Sequence, residues 1–284
     1  MTEGFPKAFR RVTEARNMTN LTEMNESEKE IFHFKRFDIA QENCAMKVGT
    51  DGVLLGAATP LPPSNKPLRI LDIGTGTGLV ALLLAQRLSE AGRDDFAIEA
   101  VEIDNKAAQQ AKENFDASPW GKKISVHACS LQDYLKKLGN DTRFDLIISN
   151  PPFYNATLKP EDEARSTARH MDSLPVREIA ECAANHLTDN GLLSLIYPTS
   201  YDTEVMSQAI VKGLTPTHIW NILTKEGKPC KRKITTFRSA RSSGMDAEAQ
   251  NLPLTTSILA LRDAAGNYTE EYRKLTDSFY VSLR

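Results

Sequence analysis

The residues with the clearest chemical potential are Asn150, Pro151, Pro152 and Phe153, which follow the apolar run Leu146-Ile147-Ile148 and Ser149. Two consecutive prolines forbid both helix and further strand. The run therefore reads as a buried strand whose C-terminal tip presents an amide side chain. Neither proline has an N–H, so the turn is rich in acceptors and poor in donors. Asn150 adds a side-chain carbonyl and Phe153 an exposed ring face. Such a site suits a planar substrate carrying an amino group. Its two N–H bonds go to the Asn150 oxygen and the Pro151 carbonyl, while Phe153 stacks on the ring. Those bonds aim the nitrogen lone pair at an electrophile and draw off positive charge as it attacks. No general base is obligatory, because the alkylated amine can shed its proton afterwards. Taken alone, an Asn-Pro-Pro sequence more often marks a rigid polar turn, and its neighbours must decide.

Those neighbours are strand tips as well. Leu68 to Ile73 reads as a buried strand, followed by Gly74-Thr75-Gly76-Thr77-Gly78 and a helix from Leu79 to about Leu88. Glycine permits a tight strand-to-helix turn and close backbone approach by a ligand. The dinucleotide fingerprint would need a further glycine at Leu79, and it is absent. Asp72, two residues before the first glycine, would repel a pyrophosphate and welcome an ammonium, so a zwitterionic amino-acid moiety fits better. The next strand, Ala97 to Ile103, delivers Glu102, about where such folds set an acid on ribose hydroxyls. Ligands bind at the carboxyl ends of strands in open α/β sheets, and together these tips point to an adenosine-containing ligand.

The remaining elements continue the alternation. A helix runs from a cap at Asn105 to about Asp116, a third strand from Ile124 to Cys129, a short helix from Leu131 to Leu138 and a fourth strand from Phe144 to Ser149. A helix over Pro175 to Leu187, a strand over Leu192 to Tyr197, a helix over Thr203 to Lys212 and a strand over Thr217 to Leu223 follow. Lys233 to Arg238 reads as a strand antiparallel to the last of these, Thr255 to Arg262 as another, and Thr269 to Tyr280 as a closing helix. The pattern predicts a doubly wound, Rossmann-like, mostly parallel seven-stranded sheet with an antiparallel strand near the C-terminus. Residues 1–30 read as a flexible arm and residues 31–284 as one domain. Thr50 is a good N-cap and Asp51 suits the first turn of the helix that follows.

The longest apolar runs are far too short to span a bilayer, and no signal peptide opens the chain. Cys44, Cys129, Cys182 and Cys230 lie far apart with no metal-ligand spacing, which predicts free thiols in a reducing cytoplasm and no metal. A net charge of −2 excludes a generally basic nucleic-acid binder but not a local basic face. One candidate face is local: Lys225, Lys228, Lys231, Arg232, Lys233, Arg238 and Arg241 surround a single acid, Glu226. These read either as lysines guarding a solvated edge strand or as a phosphate-binding rim. The polar loop over 154–172 carries Lys159, Arg165, Arg169 and His170, and a loop of small residues spans 242–251.

Asp-Ile-Gly-Thr-Gly-Thr-Gly (72–78), Val-Glu-Ile-Asp (101–104) and Ser-Asn-Pro-Pro-Phe (149–153) occur in that order. The set resembles the S-adenosylmethionine-dependent amino-methyltransferases. Phe34-Lys35-Arg36-Phe37, Gln41, the run from Lys47 to Gly56 and Tyr268-Thr269-Glu270-Glu271-Tyr272 are similar to the bacterial tRNA1(Val) adenine-37 N6-methyltransferases. That resemblance implies methyl transfer from S-adenosylmethionine to an adenine beside the anticodon, in a cytoplasmic monomer that binds tRNA. It implies that Asn150, Pro151, Pro152 and Phe153 hold the base. Asp72, Gly74, Gly76, Gly78 and Glu102 would line the cofactor, with Thr50 and Asp51 over its methionine end. Lys231, Arg232 and Lys233 would meet the RNA. The third strand of such enzymes usually ends in an acid facing the cofactor's adenine; here that slot is Ser130, with Asp133 as the substitute. Methylation of a glutamine amide in a release factor, or of guanine N2 in ribosomal RNA, would use the same Asn-Pro-Pro geometry. A non-catalytic RNA-binding domain on the same fold would not need the glycines, Glu102 and Asn150 together.

Overall fold

A computed structural model describes residues 30–63, 66–139, 141–153, 175–239 and 253–282. The predicted N-terminal arm up to residue 29, the loop over 154–172 and the loop over 242–251 with Arg241 lie outside the described residues.

In chain order the strands are β1 (Ile31–His33), β2 (Asp38–Ala40), β3 (Leu68–Ile73), β4 (Phe96–Glu102), β5 (Ile124–Ala128), β6 (Phe144–Ser149), β7 (Leu187–Pro198), β8 (Leu214–Leu223), β9 (Cys230–Ser239) and β10 (Thr255–Ala260). The helices are α1 (Thr50–Ala58), α2 (Leu79–Glu90), α3 (Asn105–Asp116), α4 (Leu131–Lys137), α5 (Val176–His186), α6 (Asp202–Val211) and α7 (Glu270–Thr276). Eight strands hydrogen-bond in the order β10-β8-β9-β7-β6-β3-β4-β5, and β1 pairs with β2 as a separate hairpin. From β5 to β7 every pairing is parallel. β9 runs antiparallel between β7 and β8, and β10 joins β8 in parallel. The α/β, mostly parallel architecture is as expected, with eight strands in the sheet among the described residues rather than seven.

Both faces of the sheet are covered, which is why β3 and β6 read as nearly continuous apolar runs. Ile70, Leu146 and Ile148 join one buried cluster with α1 and α2, whereas Leu71, Ile73 and Ile147 join another with α4, α5 and α6. α1 lies close on α2 because Gly52 and Gly56, one turn apart, face Leu79 and Leu83; a Cβ on Gly56 would stand 2.8 Å from Leu83. Arg87 closes the end of α1 by donating to the Gly56 and Thr59 carbonyls at 2.7 Å each, satisfying acceptors that the helix leaves open. Burial pushes its pKa down to about 10.

Three local expectations are corrected. Gly49, not Thr50, is the N-cap of α1, and no side chain caps it; Thr50 is already helical. Asp104, not Asn105, caps α3, its carboxylate accepting from the Lys106 and Ala107 amides at 2.8 and 3.0 Å. The basic strand is no edge: β9 is hydrogen-bonded on both sides, so lysine protection of an open edge does not account for it.

Candidate active site

Parallel pairing sets Ser149 of β6 opposite Ile73 of β3, and the buried Ser149 hydroxyl donates to the Ile73 carbonyl at 2.7 Å. Asn150 and Gly74 each follow directly, so the amide tip and the glycine turn leave the sheet side by side. Gly74 and Gly76 adopt φ of 71° and 56°, a region that disfavours residues with a Cβ. A Cβ on either would meet no atom within 4 Å, so both border open space. Gly78, φ 84°, differs: a Cβ there would collide with the Phe115 ring of α3, so its bareness serves packing.

The glycine turn is tied down from below and from the side. Asp72 is 1% exposed and accepts from the Thr75 hydroxyl at 2.7 Å. Burial pushes its pKa up to about 7; the Thr75 bond opposes this and Glu102 adds to it. Glu102, at the tip of β4, accepts from the Gly76 amide at 2.8 Å and from the Asp104 amide at 3.0 Å. The Gly74 and Thr75 amides donate to the Val101 carbonyl.

Residues 41–49 form a strap from β2 to α1. Gln41 accepts from the Val48 amide at 2.8 Å, which closes it. Asn114 of α3 pins its start, accepting from the Ala40 amide and donating to the Ala40 and Thr77 carbonyls. The strap carries Cys44 into the field of Glu102 and Asp104: burial first, then those two carboxylates, push its thiol up to about 11. Farther along, Met46 sets its sulfur 3.9 Å from the Asn150 amide nitrogen while remaining 53% exposed. The half-buried Phe153 ring packs on Tyr201 at 4.8 Å and on Tyr197 at 6.3 Å between centroids. Tyr197 is fixed in turn by hydroxyl bonds to Thr235 at 2.6 Å and Asp202 at 3.0 Å.

The expected RNA-facing trio divides. Lys233 is paired with Asp202 at 2.5 Å and its side chain is 17% exposed. Arg232 reaches Asp51 in the first turn of α1, Nε to Oδ2 at 2.8 Å, joining the predicted RNA rim to the predicted cofactor wall. Lys231 is exposed. Ser130 caps α4, accepting from the Asp133 amide and donating to its carboxylate at 2.9 Å. Lys136 also holds that carboxylate, at 2.8 Å. Sequence reasoning did not single out Met46, Tyr197, Tyr201 or Asn114 for this site. Tyr197 ends a strand parallel to β6 and was legible by position; Asn114, in mid-helix, carried no such signal. Of the cysteines, Cys44 and Cys182 are buried and Cys129 and Cys230 partly so; all four are free. Among the described residues there is no group of three His, Cys, Asp or Glu that could hold a metal, and no helix long and apolar enough to cross a membrane.

Residues 58–215 match the family model of the methyltransferase small domain. A tRNA1(Val) (adenine(37)-N6)-methyltransferase of Bacteroides fragilis is 42% identical over 89% of this chain and 98% of its own. The protein of the same name from Christiangramia forsetii is 39% identical over the same shares. The chain belongs to the tRNA1(Val) (adenine(37)-N6)-methyltransferase family. The crystal structure of a predicted O-methyltransferase from Agrobacterium tumefaciens superposes with a TM-score of 0.56 over 83% of this chain and 99% of that one. At 16% identity that likeness concerns the fold alone. In this chain Asn-Pro-Pro-Phe stands at the tip of β6, beside the glycine turn.

Proposed function

We propose that the chain transfers a methyl group from S-adenosylmethionine to the N6 amino group of an adenine in tRNA, adenine 37 of tRNA1(Val). The observation that carries this reading is the pairing of β6 with β3, which sets Asn150 beside the open glycine turn, with Phe153 braced on Tyr201.

The groups around the turn suit the cofactor. The open space over Gly74 and Gly76 is the room that close backbone approach requires. Glu102 is half-buried at the tip of β4, where its carboxylate can exchange the Gly76 amide for ribose hydroxyls. Thr50 and Asp51 would serve the methionine end. Asp72, buried under the turn, acts on the cofactor by holding Thr75 rather than by direct contact. Ser130 and Asp133, already bonded to each other, form the wall assigned to the adenine end. S-adenosylmethionine, when bound, supplies a methyl group activated by its sulfonium.

On the substrate side, the target adenine leaves its stack, which costs little in an anticodon loop. It slides onto Phe153; base–aromatic stacking contributes about 1–3 kcal/mol. The Asn150 side-chain oxygen and the Pro151 carbonyl accept the two N6 hydrogens and so orient the lone pair. As the nitrogen becomes positive, those acceptors stabilise it and water takes the proton afterwards. Asn150→Ala should keep cofactor affinity in calorimetry while turnover of tRNA falls about 10²-fold or more, by analogy with loss of one preorganised polar contact. Nucleoside mass spectrometry of tRNA incubated with labelled cofactor is the measurement. Near-native N6-methyladenosine formation by this variant would overturn the assigned role.

A further inference from the structure

β9 brings its N-terminal end to the same edge of the sheet at which β6 ends, since β9 runs antiparallel to β7 with Arg232 opposite Pro198. β8 and β10, parallel to β7, end there too. The turn between β8 and β9 thus overhangs the edge that carries Asn150. Beneath it lies a cavity of about 800 Å³. Its walls include Lys225, Lys228, Lys231, Arg232 and Arg262 against a single carboxylate, Asp51. On a chain with a net charge of −2 this is a pronounced local concentration of positive charge.

The cations have distinct duties. Arg262 is laid over the Tyr268 ring at 4.1 Å and donates to the Gly266 carbonyl, so it builds the wall. Arg232 is aimed by Asp51. Lys225, Lys228 and Lys231 form no ion pair among the described residues. The acid of this turn, Glu226, is drawn away: its carboxylate accepts from the Ala264 amide and its own amide donates to the Arg262 carbonyl. Protection of a sheet edge does not explain these lysines either, because the edge strand on this side is β10, which carries no charge. Tyr268 and Tyr272, both nearly buried, give the cavity an aromatic floor.

We propose that this cavity is a docking subsite for backbone phosphates of the substrate RNA, beyond the nucleotide that is methylated. The inference rests on the RNA-methylation reading and extends it to a second contact. Adjacent strands lie about 4.8 Å apart, so β9 and the β8–β9 turn stand about 10–14 Å from the tip of β6. A stacked strand rises about 3.4 Å per nucleotide, which puts the docked phosphates about three to four nucleotides from the target. Lysines suit such a subsite, because point charges on long stems hold phosphate without reading sequence.

The test compares wild type with Lys225→Ala/Lys228→Ala/Lys231→Ala, using a stem-loop RNA that carries the target adenine. Fluorescence anisotropy and methylation are followed from 50 to 200 mM salt. The variant should show a Kd and KM raised about tenfold or more at 50 mM salt. Its salt slope should fall by about 2, each lost phosphate contact on a single strand being worth about 0.7. Melting temperature and cofactor affinity by calorimetry should match wild type, and the triple Lys→Arg variant should recover the slope. A trinucleotide centred on the adenine, too short to reach the cavity, should be used equally by both proteins. Equal Kd and equal slope on the stem-loop would overturn the subsite, as would a loss of cofactor binding. If wild type methylates no RNA, the proposed reaction fails, and the anisotropy difference alone still decides the cavity.

Discussion

Asp72 behaves unlike an ordinary carboxylate because burial removes it from water, an effect that the Thr75 hydroxyl and the Ala81 backbone only partly offset. The folded protein holds its proton up to about pH 7, whereas the unfolded chain releases it near pH 4. Between those values the unfolded state binds fewer protons, so stability falls as pH rises from about 4 to 7 and levels off above. The span corresponds to at most on the order of 4 kcal/mol. Asp72→Asn keeps an acceptor for Thr75 and removes the titration. Relative to wild type it should gain stability between pH 5 and pH 7.5, read as a pH-dependent difference in urea midpoints. An unchanged difference across that range would mean Asp72 is ionised in the fold. The residue type was legible in the sequence as an acid before a glycine turn; its burial was not.

At the scale of elements, the run from Gly49 to Gly56 joins local signals to a tertiary demand. A glycine would ordinarily weaken a helix interior by about 1 kcal/mol relative to alanine. Gly52 and Gly56 are retained because α2 approaches along that face, with Leu83 2.8 Å from a Cβ at Gly56. Gly56→Ala, favourable by propensity, should therefore destabilise by about 1–3 kcal/mol through overpacking. Chemical denaturation measures this, and a more stable variant would show that α1 can move aside. The same displacement would shift Asp51, and with it Arg232, so the RNA salt slope of this variant should change as well.

At the scale of the whole molecule, the two ends of the described chain close on each other. Phe34 stacks between Phe37 at 4.8 Å and Tyr280 at 5.8 Å, and the Lys35 amide donates to the Phe279 carbonyl at 2.8 Å. This junction holds the hairpin from which the strap crosses to Met46 and Asn150. Phe34→Ala should cost about 3–5 kcal/mol of stability. It should also weaken cofactor affinity, measured by calorimetry below the unfolding transition, because the strap loses its anchor. Stability lost with full cofactor affinity would make the hairpin a purely structural clasp.

Strand tips are written locally, and so the amino-acid sequence by itself determined the order of strands and helices from Leu68 onward, the glycine turn, Glu102 and the Asn-Pro-Pro-Phe tip, but not the β1–β2 hairpin. An apolar run ending in prolines or glycines carries its own stop signal. Tertiary structure decided what depends on neighbours remote in the chain. It made β9 an interior strand, divided Lys231, Arg232 and Lys233 among three surroundings, turned Gly78 toward Phe115 and set Met46 against Asn150. Such pairings arise only when segments separated in the chain, as far apart as Asp51 and Arg232, are brought together by the tertiary fold, which local composition does not encode.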